Sequence, residues 1–406
     1  MTSNLLKQFL DEHIYDIRQT HNGRWIDQKC TMDELCFVAD CVVNFLDEGG
    51  TEPFKSPDIW HAEYSIKNVM DLFGKPDPTD KTTVDEYNKF FRQPLKMLSA
   101  AGVLSENKVG STIEFSVMNR DVLNYLSLNE RNCMEFLCAY IEKTLKDSGL
   151  WDYFASFFDE QTRKRYKEVK DAFYDFCIAN TPINNEKEPG RIFTKVINPL
   201  AIKYKKKGTE GGRMSSKIIT IDKIKYNQPN SIRDKNKDKN ISRQQAKMAS
   251  STNSNDVKYN YQVRKVMNRL KKYNDSYNAS RSELTDRFSV GAIATHMHHI
   301  FPQSSFPEIA DYVENLIALT SAQHLQEAHP NGNTQIIDET FQYLCLINKT
   351  ESIRKNLMDG FGKPLFYSFE NYMTVLDTGF NSTFFVGLEQ NDFNSVLAGI
   401  EMNYKH

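Results

Sequence analysis

Five of the nine histidines in this 406-residue chain fall within one stretch of 34 residues. They are His296, His298, His299, His324 and His329. The first three stand in GAIATHMHHIFP, an alternating run that Pro302 closes, which predicts a strand ending at a turn. NLIALT predicts a second strand, and Thr320 or Ser321 is expected to cap a helix, SAQHLQEAH, that ends at Pro330 and Gly332. The predicted order is strand, loop, strand and helix, with three histidines on the first strand and two on the helix.

Two adjacent histidines on the first predicted strand, His298 and His299, are expected to have different roles. Neighbouring strand residues point to opposite faces, so His298 and His299 cannot share one role. Metal-assisted hydrolysis needs a base that takes a proton from water and a Lewis acid that neutralises the charge developing on the substrate. An imidazole with its usual pKa of about 6.5 suits the base. The alternative is a group of structural histidines, although packing rarely needs several histidines at ligand spacing.

The same residues resemble the HNH (ββα-metal) nuclease family. The family pattern falls on His298 and His299, then on Asn315 sixteen residues later, then on His324 nine residues after that. The wider segments HHIFPQSSFPEI and ENLIALTSAQHLQEAHPNGNTQ are similar to HNH-type II restriction endonucleases. The resemblance implies that His298 and His324 bind one divalent ion. It also implies that His299 is the general base and that Asn315 braces the loop between the strands.

The expected cofactor is Mg²⁺, because two imidazoles leave open positions for water and phosphate oxygens. Nitrogen ligands also admit Mn²⁺, Ni²⁺, Co²⁺ or Zn²⁺. His329 follows His324 by five residues, whereas some family members carry a third histidine ligand four residues on. A metal or phosphate contact and a structural role are both open for His329. His296 shares a strand face with His298, and we expect it to pack or to form hydrogen bonds.

The charge of the chain is unevenly distributed along the sequence. Residues 191–290 contain 24 Lys and Arg against 8 Asp and Glu, a balance of +16, so the other 306 residues carry −18. A local positive field attracts a polyanion regardless of net charge. On an expected flexible loop, six residues are predicted to contact DNA phosphates: Lys203, Lys205, Lys206, Lys207, Arg213 and Lys217. The alternative is a solvated linker, above all for residues 231–256, which we expect to be the least ordered without a ligand.

Residues 61–118 predict a second DNA-binding element. Their order of helix, helix, helix and two alternating runs around Gly110 resembles a winged helix-turn-helix. Pro94 is expected to open the third helix, which would carry Arg92, Gln93 and Lys96 to DNA, with Lys108 on the wing. Winged helices also bind proteins, so a structural or interaction role is the alternative.

Several classes of protein are excluded or disfavoured by composition. No apolar run approaches the roughly 18 residues of a membrane helix, and the N-terminus does not resemble an export signal. The seven cysteines contain no CxxC pair and predict reduced, mostly buried thiols. With the family resemblance, these features lead us to expect a prokaryotic cytoplasmic protein without a membrane partner.

The predicted architecture is α+β and multi-domain. We expect residues 1–190 to form a helical domain with the winged-helix-like module, 191–256 to form a basic DNA-contacting segment or linker, and 257–406 to form the HNH nuclease domain, with its core at 292–332 and a helical C-terminal extension. The expected function is a sequence-specific type II restriction endonuclease that binds double-stranded DNA as a homodimer. A nuclease specific for methylated DNA, and a winged-helix regulator with an inactive HNH domain, remain alternatives.

Overall fold

The computed structural model describes residues 3–226, 243–329, 337–358 and 364–404. The protein is mixed α+β, 61% helical with small antiparallel sheets, which confirms the fold class. It divides into two compact units, Ser3–Val257 (the N-terminal unit) and Lys258–His406 (the C-terminal unit). Pro330 and Gly332, and residues 227–242 of the basic segment, lie outside the described residues.

The N-terminal unit is mainly helical, with two small sheets. Its elements are α1 (Ser3–Asp11), α2 (Ile17–Thr20), α3 (Met32–Asp47), β1 (Phe54–Lys55), α4 (Ser56–Trp60), α5 (Glu63–Phe73), α6 (Val84–Ala100), β2 (Leu104–Val109), β3 (Thr112–Val117), α7 (Arg120–Leu128), α8 (Glu130–Asp147), α9 (Trp151–Asp159), α10 (Arg163–Asn180), α11 (Lys187–Lys203), β4 (Lys207–Glu210) and β5 (Arg213–Ile218). Helix α3 is buried over most of its length and packs against α7, α8 and α6. It forms the centre of this unit.

Strands β1, β3 and β2 form a three-stranded antiparallel sheet in that order, with Phe54 paired to Phe115. The helix before this sheet differs from the prediction, because Pro94 lies inside α6 and does not open a new helix. A proline inside a helix removes one backbone hydrogen bond and costs roughly 3 kcal/mol. The apolar face continues across it, since Phe90, Leu95 and Leu98 are all buried. Burial of that face offsets the local cost and keeps the helix continuous.

Most of the expected flexible loop at residues 203–217 is instead a β-hairpin, formed by β4 and β5, whereas Lys203 is the last residue of α11. Strands β4 and β5 pair antiparallel, and Glu210 faces Arg213 across a two-residue turn. Gly211 and Gly212 occupy that turn with φ of +59° and +75°. Tight hairpin turns need two left-handed residues, and glycine adopts that conformation without a steric penalty. Lys207, Arg213 and Lys217 therefore lie on a defined hairpin, and Lys205 and Lys206 lie directly before it.

The C-terminal unit surrounds a two-stranded sheet with helices. Its elements are α12 (Arg243–Tyr277, which begins in the N-terminal unit), β6 (His296–His299), β7 (Leu316–Leu319), a π-helix (Gln323–Ala328), α13 (Glu339–Met358), α14 (Phe369–Phe380) and α15 (Phe393–Tyr404). Residues 243–256, expected to lack order, are helical. Apolar residues of β7, α13, α14 and α15 form one core, which includes Ile317, Leu346, Leu376 and Ile400.

A buried ion pair holds β7 in this core. The Glu283 backbone N–H donates to Ala318 O at 2.9 Å, and the Ala318 N–H donates to Glu283 Oε1 at 3.0 Å. Lys349 Nζ lies 3.1 Å from Glu283 Oε2 and donates to the Tyr367 hydroxyl at 2.8 Å. Burial lowers the pKa of Lys349, although the Glu283 carboxylate opposes that shift. The carboxylate thus joins the strand to α13.

All seven cysteines are free and buried, as predicted. Among the described residues, no helix combines the length and apolar character needed to cross a membrane.

Candidate metal centre and hydrolytic site

The strand pair β6–β7 divides the histidines between two faces. The strands are antiparallel, with His298 opposite Ile317 and His299 opposite Leu316. Side chains alternate along a strand, so His296 and His298 share one face while His299 points to the other. The helical segment that follows β7 lies on the His298 side, because the rings of His298 and His324 have centroids 5.2 Å apart.

The helical segment begins at Thr320, one of the two caps predicted from the sequence. Thr320 Oγ1 accepts a hydrogen bond from the Gln323 backbone N–H at 3.2 Å. The Gln323 side chain returns the contact, since its Oε1 accepts from the Thr320 N–H at 2.9 Å. This reciprocal arrangement satisfies two backbone donors at the helix start. Gln323 Nε2 also donates to Leu284 O at 2.9 Å, which anchors the cap to the preceding loop.

The π-helix resolves the unusual spacing of His324 and His329. A π-helix forms hydrogen bonds between residues five apart, whereas an α-helix joins residues four apart. The wider turn brings the side chains of His324 and His329 to the same side, with ring centroids 4.9 Å apart. His324 lies in the π-helix and His329 is the extended residue directly after it, so the wider turn accommodates the five-residue spacing. His329, whose role was open, lies beside the two predicted ligands.

His298, His324 and His329 form a three-imidazole cluster whose potential ligand nitrogens lie within 4.8 Å of one another. His298 Nε2 and His324 Nδ1 are buried and make no hydrogen bond within the described parts of the chain. Buried polar atoms usually have a partner, so these nitrogens are unexplained by packing alone. Their arrangement fits a divalent metal ion, which would be the shared partner of the three rings.

The protonation of the cluster also suits metal binding. Burial lowers the pKa of His298 well below its usual value, and the neighbouring imidazoles lower it further. The same two causes lower the pKa of His324 to about 4. Both rings are therefore neutral at neutral pH, and a metal ion binds the neutral form of imidazole.

His299 occupies a different environment on the opposite face. Its Nε2 lies 2.9 Å from Ala310 O. A carbonyl oxygen can only accept a hydrogen bond, so Nε2 carries the proton. Burial lowers the pKa of His299, while the bond to Ala310 opposes the shift. The neutral ring therefore keeps its lone pair on Nδ1, which is the arrangement a general base requires.

Asn315 braces the loop that supplies Ala310. Its Oδ1 accepts from the Phe301 N–H at 2.9 Å, and its Nδ2 donates to Phe301 O at 3.0 Å and to Ile309 O at 3.3 Å. Asn315 is fully buried. It thus joins the start of the loop to the residue directly before Ala310, the acceptor of the His299 ring.

The predicted DNA-contacting residues all lie in the N-terminal unit, apart from the histidines. On α6, Arg92 is exposed, Gln93 Oε1 accepts from the Lys29 N–H at 2.9 Å, and Lys96 lies 3.7 Å from Glu106. Lys108 is exposed on β2. Of the three α6 residues, Arg92 is exposed to solvent, whereas Gln93 and Lys96 already contact other residues of the protein.

The six basic residues between positions 203 and 217 also differ in exposure and in their contacts. Lys203, at the end of α11, donates to Glu142 Oε2 at 2.6 Å, which neutralises part of its charge. Lys205 is exposed, and Lys206 and Lys207 are partly exposed. On β5, Arg213 and Lys217 are exposed as well.

Sequence reasoning missed two contributors to the site. Ala310 acts through its backbone carbonyl, which no side-chain pattern reveals. Glu283 and Lys349 are 66 residues apart, and nothing in their local sequence marks them as partners.

We compared the chain with protein-family models, curated proteins and solved structures, and none of the three comparisons found a match.

Proposed function

We propose that this protein is a metal-dependent DNA endonuclease whose hydrolytic centre lies in the C-terminal unit. One observation carries the proposal. One face of strand β6 contributes His298 to the three-imidazole cluster. The other face presents His299, a neutral imidazole that is oriented by its hydrogen bond to Ala310. These are the two parts that phosphodiester hydrolysis requires. The sequence pattern of His298, His299, Asn315 and His324 resembles the HNH family in the same positions.

Each residue has a defined task in this proposal. His298, His324 and His329 would hold a divalent ion, which when bound neutralises charge on the phosphate and the leaving oxygen. His299 Nδ1 accepts a proton from a water molecule as that water forms its bond to phosphorus and the bond to the leaving sugar oxygen breaks. Asn315 acts as a positioning residue, since it holds the loop that orients His299.

The donor set bears on the identity of the metal. Mg²⁺ prefers oxygen ligands, whereas imidazole nitrogen suits first-row transition metals. Two protein nitrogens were expected from the sequence, and the third donor, His329, favours Mn²⁺, Co²⁺, Ni²⁺ or Zn²⁺ over the expected Mg²⁺. The proposal therefore includes activation by a transition-metal ion at lower concentration than by Mg²⁺.

Sequence-specific restriction of double-stranded DNA by a homodimer is the finer form of the proposal. Helices α4, α5 and α6 lie between β1 and the β2–β3 pair of the three-stranded sheet, and Arg92 is exposed on α6; this arrangement supports a DNA-reading module. The exposed lysines and arginine of the β4–β5 hairpin support contact with phosphates. A single metal centre cuts one strand, so cutting both strands calls for two copies.

The test is digestion of plasmid DNA, methylated and unmethylated, by the full chain with Mg²⁺, Mn²⁺, Co²⁺, Ni²⁺ or Zn²⁺ supplied singly after EDTA treatment. We expect discrete linear products with at least one ion, and none from His299→Ala purified in the same way. Cutting of methylated DNA alone would replace restriction of unmodified DNA with the modification-dependent alternative. Specific binding without cutting under any ion would refute the nuclease and favour the regulator.

A further inference from the structure

We propose that His296 contacts the phosphodiester at the three-imidazole cluster as an N–H donor, oriented by the hydroxyls of Thr295 and Ser321. This inference rests on the proposed nuclease function and extends its substrate contacts. His296 belongs to neither group described above, since it is outside the cluster and on the face opposite His299.

The His296 ring lies beside a member of the three-imidazole cluster. The His296 ring stacks on the His324 ring, with centroids 4.6 Å apart and planes 17° apart. His324 is a member of the three-imidazole cluster. His296 is partly exposed at this position. A group bound at the cluster therefore has the edge of His296 as its immediate neighbour.

Two hydroxyl groups lie beside one nitrogen of the His296 ring. His296 Nδ1 lies 3.0 Å from Thr295 Oγ1 and 3.4 Å from Ser321 Oγ, and the two hydroxyls lie 3.0 Å apart. A hydroxyl can donate to a ring nitrogen or accept from it, and we assign the hydroxyl as the donor to Nδ1, which places the ring proton on Nε2. The chain Ser321, Thr295, His296 then ends in an outward N–H, and each bond polarises the next.

The free end of this chain defines the ligand. Within the described residues, His296 Nε2 makes no hydrogen bond, so its N–H can donate to an acceptor from outside the protein. A non-bridging phosphate oxygen is an anionic acceptor, and such bonds are stronger than neutral ones. A divalent ion held by the three-imidazole cluster would attract the same phosphate, so the two contacts would act on one group.

The first test is the tautomer. Long-range ¹H–¹⁵N spectra of the full chain, with the His296 signals identified by their loss in His296→Phe, should give the pattern of an Nε2–H ring. An Nδ1–H pattern would overturn the proposal, because Nε2 would then have no proton to donate.

The second test is DNA affinity in a His299→Ala background, measured by fluorescence anisotropy with Mn²⁺ and a duplex from the plasmid digest. His296→Phe keeps a ring to stack on His324 but removes both nitrogens, and we expect about a tenfold rise in Kd. The control is His13→Phe, since His13 is also partly buried, stacked on Tyr15 at 5.9 Å, and bonded through one nitrogen. Its Kd should not change.

A Co²⁺ absorbance titration of His296→Phe without DNA separates this role from metal binding. We expect Co²⁺ affinity within about twofold of wild type. Unchanged DNA affinity, or a loss of Co²⁺ affinity as large as the loss of DNA affinity, would overturn the phosphate contact. Failure of the wild-type chain to cut DNA would instead refute the proposed function, and the tautomer measurement, which needs no DNA, would still be interpretable.

Discussion

His299 and Ala310 are joined by a hydrogen bond of 2.9 Å between Nε2 and the backbone carbonyl oxygen. Because the carbonyl must accept, the bond assigns the ring proton to Nε2 and the lone pair to Nδ1. The opposite tautomer would break the bond and bury an unpaired carbonyl, which costs about 1–3 kcal/mol. The loop thus selects the basic nitrogen of the proposed general base, as well as its orientation.

Replacing His299 should remove catalysis but spare binding. General-base catalysis contributes roughly 10²-fold or more, so kcat of His299→Ala should fall at least that far. The base acts on water and adds little to ground-state affinity, so the Kd for DNA should remain within about twofold. The measurements are single-turnover cleavage and anisotropy. Residual cleavage within about tenfold of wild type would exclude His299 as the base.

The ligand variants should behave differently from the base variant. His324→Ala and His329→Ala each remove one nitrogen from the cluster, which weakens metal affinity, and excess metal offsets that loss by mass action. We therefore expect raised Mn²⁺ to restore part of the activity of both variants but none of the activity of His299→Ala. If Mn²⁺ rescues His324→Ala and wild-type metal affinity persists in His329→Ala, His329 is not a ligand.

The lowered pKa of His324 predicts a pH dependence of stability in EDTA. The folded ring stays neutral down to a pKa of about 4, whereas the unfolded ring takes up a proton near the usual value of 6.5. Between these values the unfolded chain binds more protons, so the free energy of unfolding falls as pH falls through that window. This contribution is fully present above pH 6.5.

The corresponding measurement is urea unfolding of wild type and His324→Phe between pH 7.5 and 5. Phenylalanine cannot bind a proton, so the variant should lose less stability than wild type over this range. Carboxylates affect both proteins alike and cancel in the difference. Parallel stability curves for the two proteins would contradict a lowered pKa at His324.

The lysine run before and at the start of β4 should contribute to the salt dependence of DNA binding. Removing one lysine–phosphate interaction makes the slope of log affinity against log salt shallower by about 0.9. Changing Lys205, Lys206 and Lys207 together to Ala should reduce the slope by up to that amount per lysine, and affinity should fall equally on cognate and random duplexes. Lys203→Ala is the matched control, since Lys203 already pairs with Glu142 and should change the slope less.

An unchanged slope in the triple variant would identify these lysines as a solvated surface. Selective loss of cognate affinity would mean that this lysine run reads bases. The element that determines sequence specificity would then be this run and not α6.

Breaking the buried pair of Glu283 and Lys349 should destabilise the C-terminal unit. Lys349→Ala leaves the Glu283 carboxylate without its cation in the core, which typically costs about 3–5 kcal/mol. Adding Glu283→Gln removes the unpaired charge, so the double variant should recover much of that loss. Urea unfolding of the three proteins measures the difference. A double variant as unstable as Lys349→Ala would show that packing, and not charge, is what the substitution disturbs.

The sequence by itself determined the local elements of the site. The alternating run before Pro302, the cap at Thr320 and the order of His298, His299, Asn315 and His324 depend on short-range rules of backbone geometry. These rules act within a few residues, so a linear pattern contains them. The α+β class and the free, buried cysteines were predictable for the same reason.

Only the tertiary structure decided the remaining features. His329 joins the cluster because a π-helix replaces an α-helix, and α6 continues through Pro94 because its buried face extends across it. Ala310 orients His299 through a backbone atom, and Lys349 meets Glu283 from a distant helix. In each case the deciding energy comes from packing or hydrogen bonding between segments far apart in sequence. Such contacts exist only after the chain has folded, and they can outweigh the roughly 1–3 kcal/mol of local backbone preference.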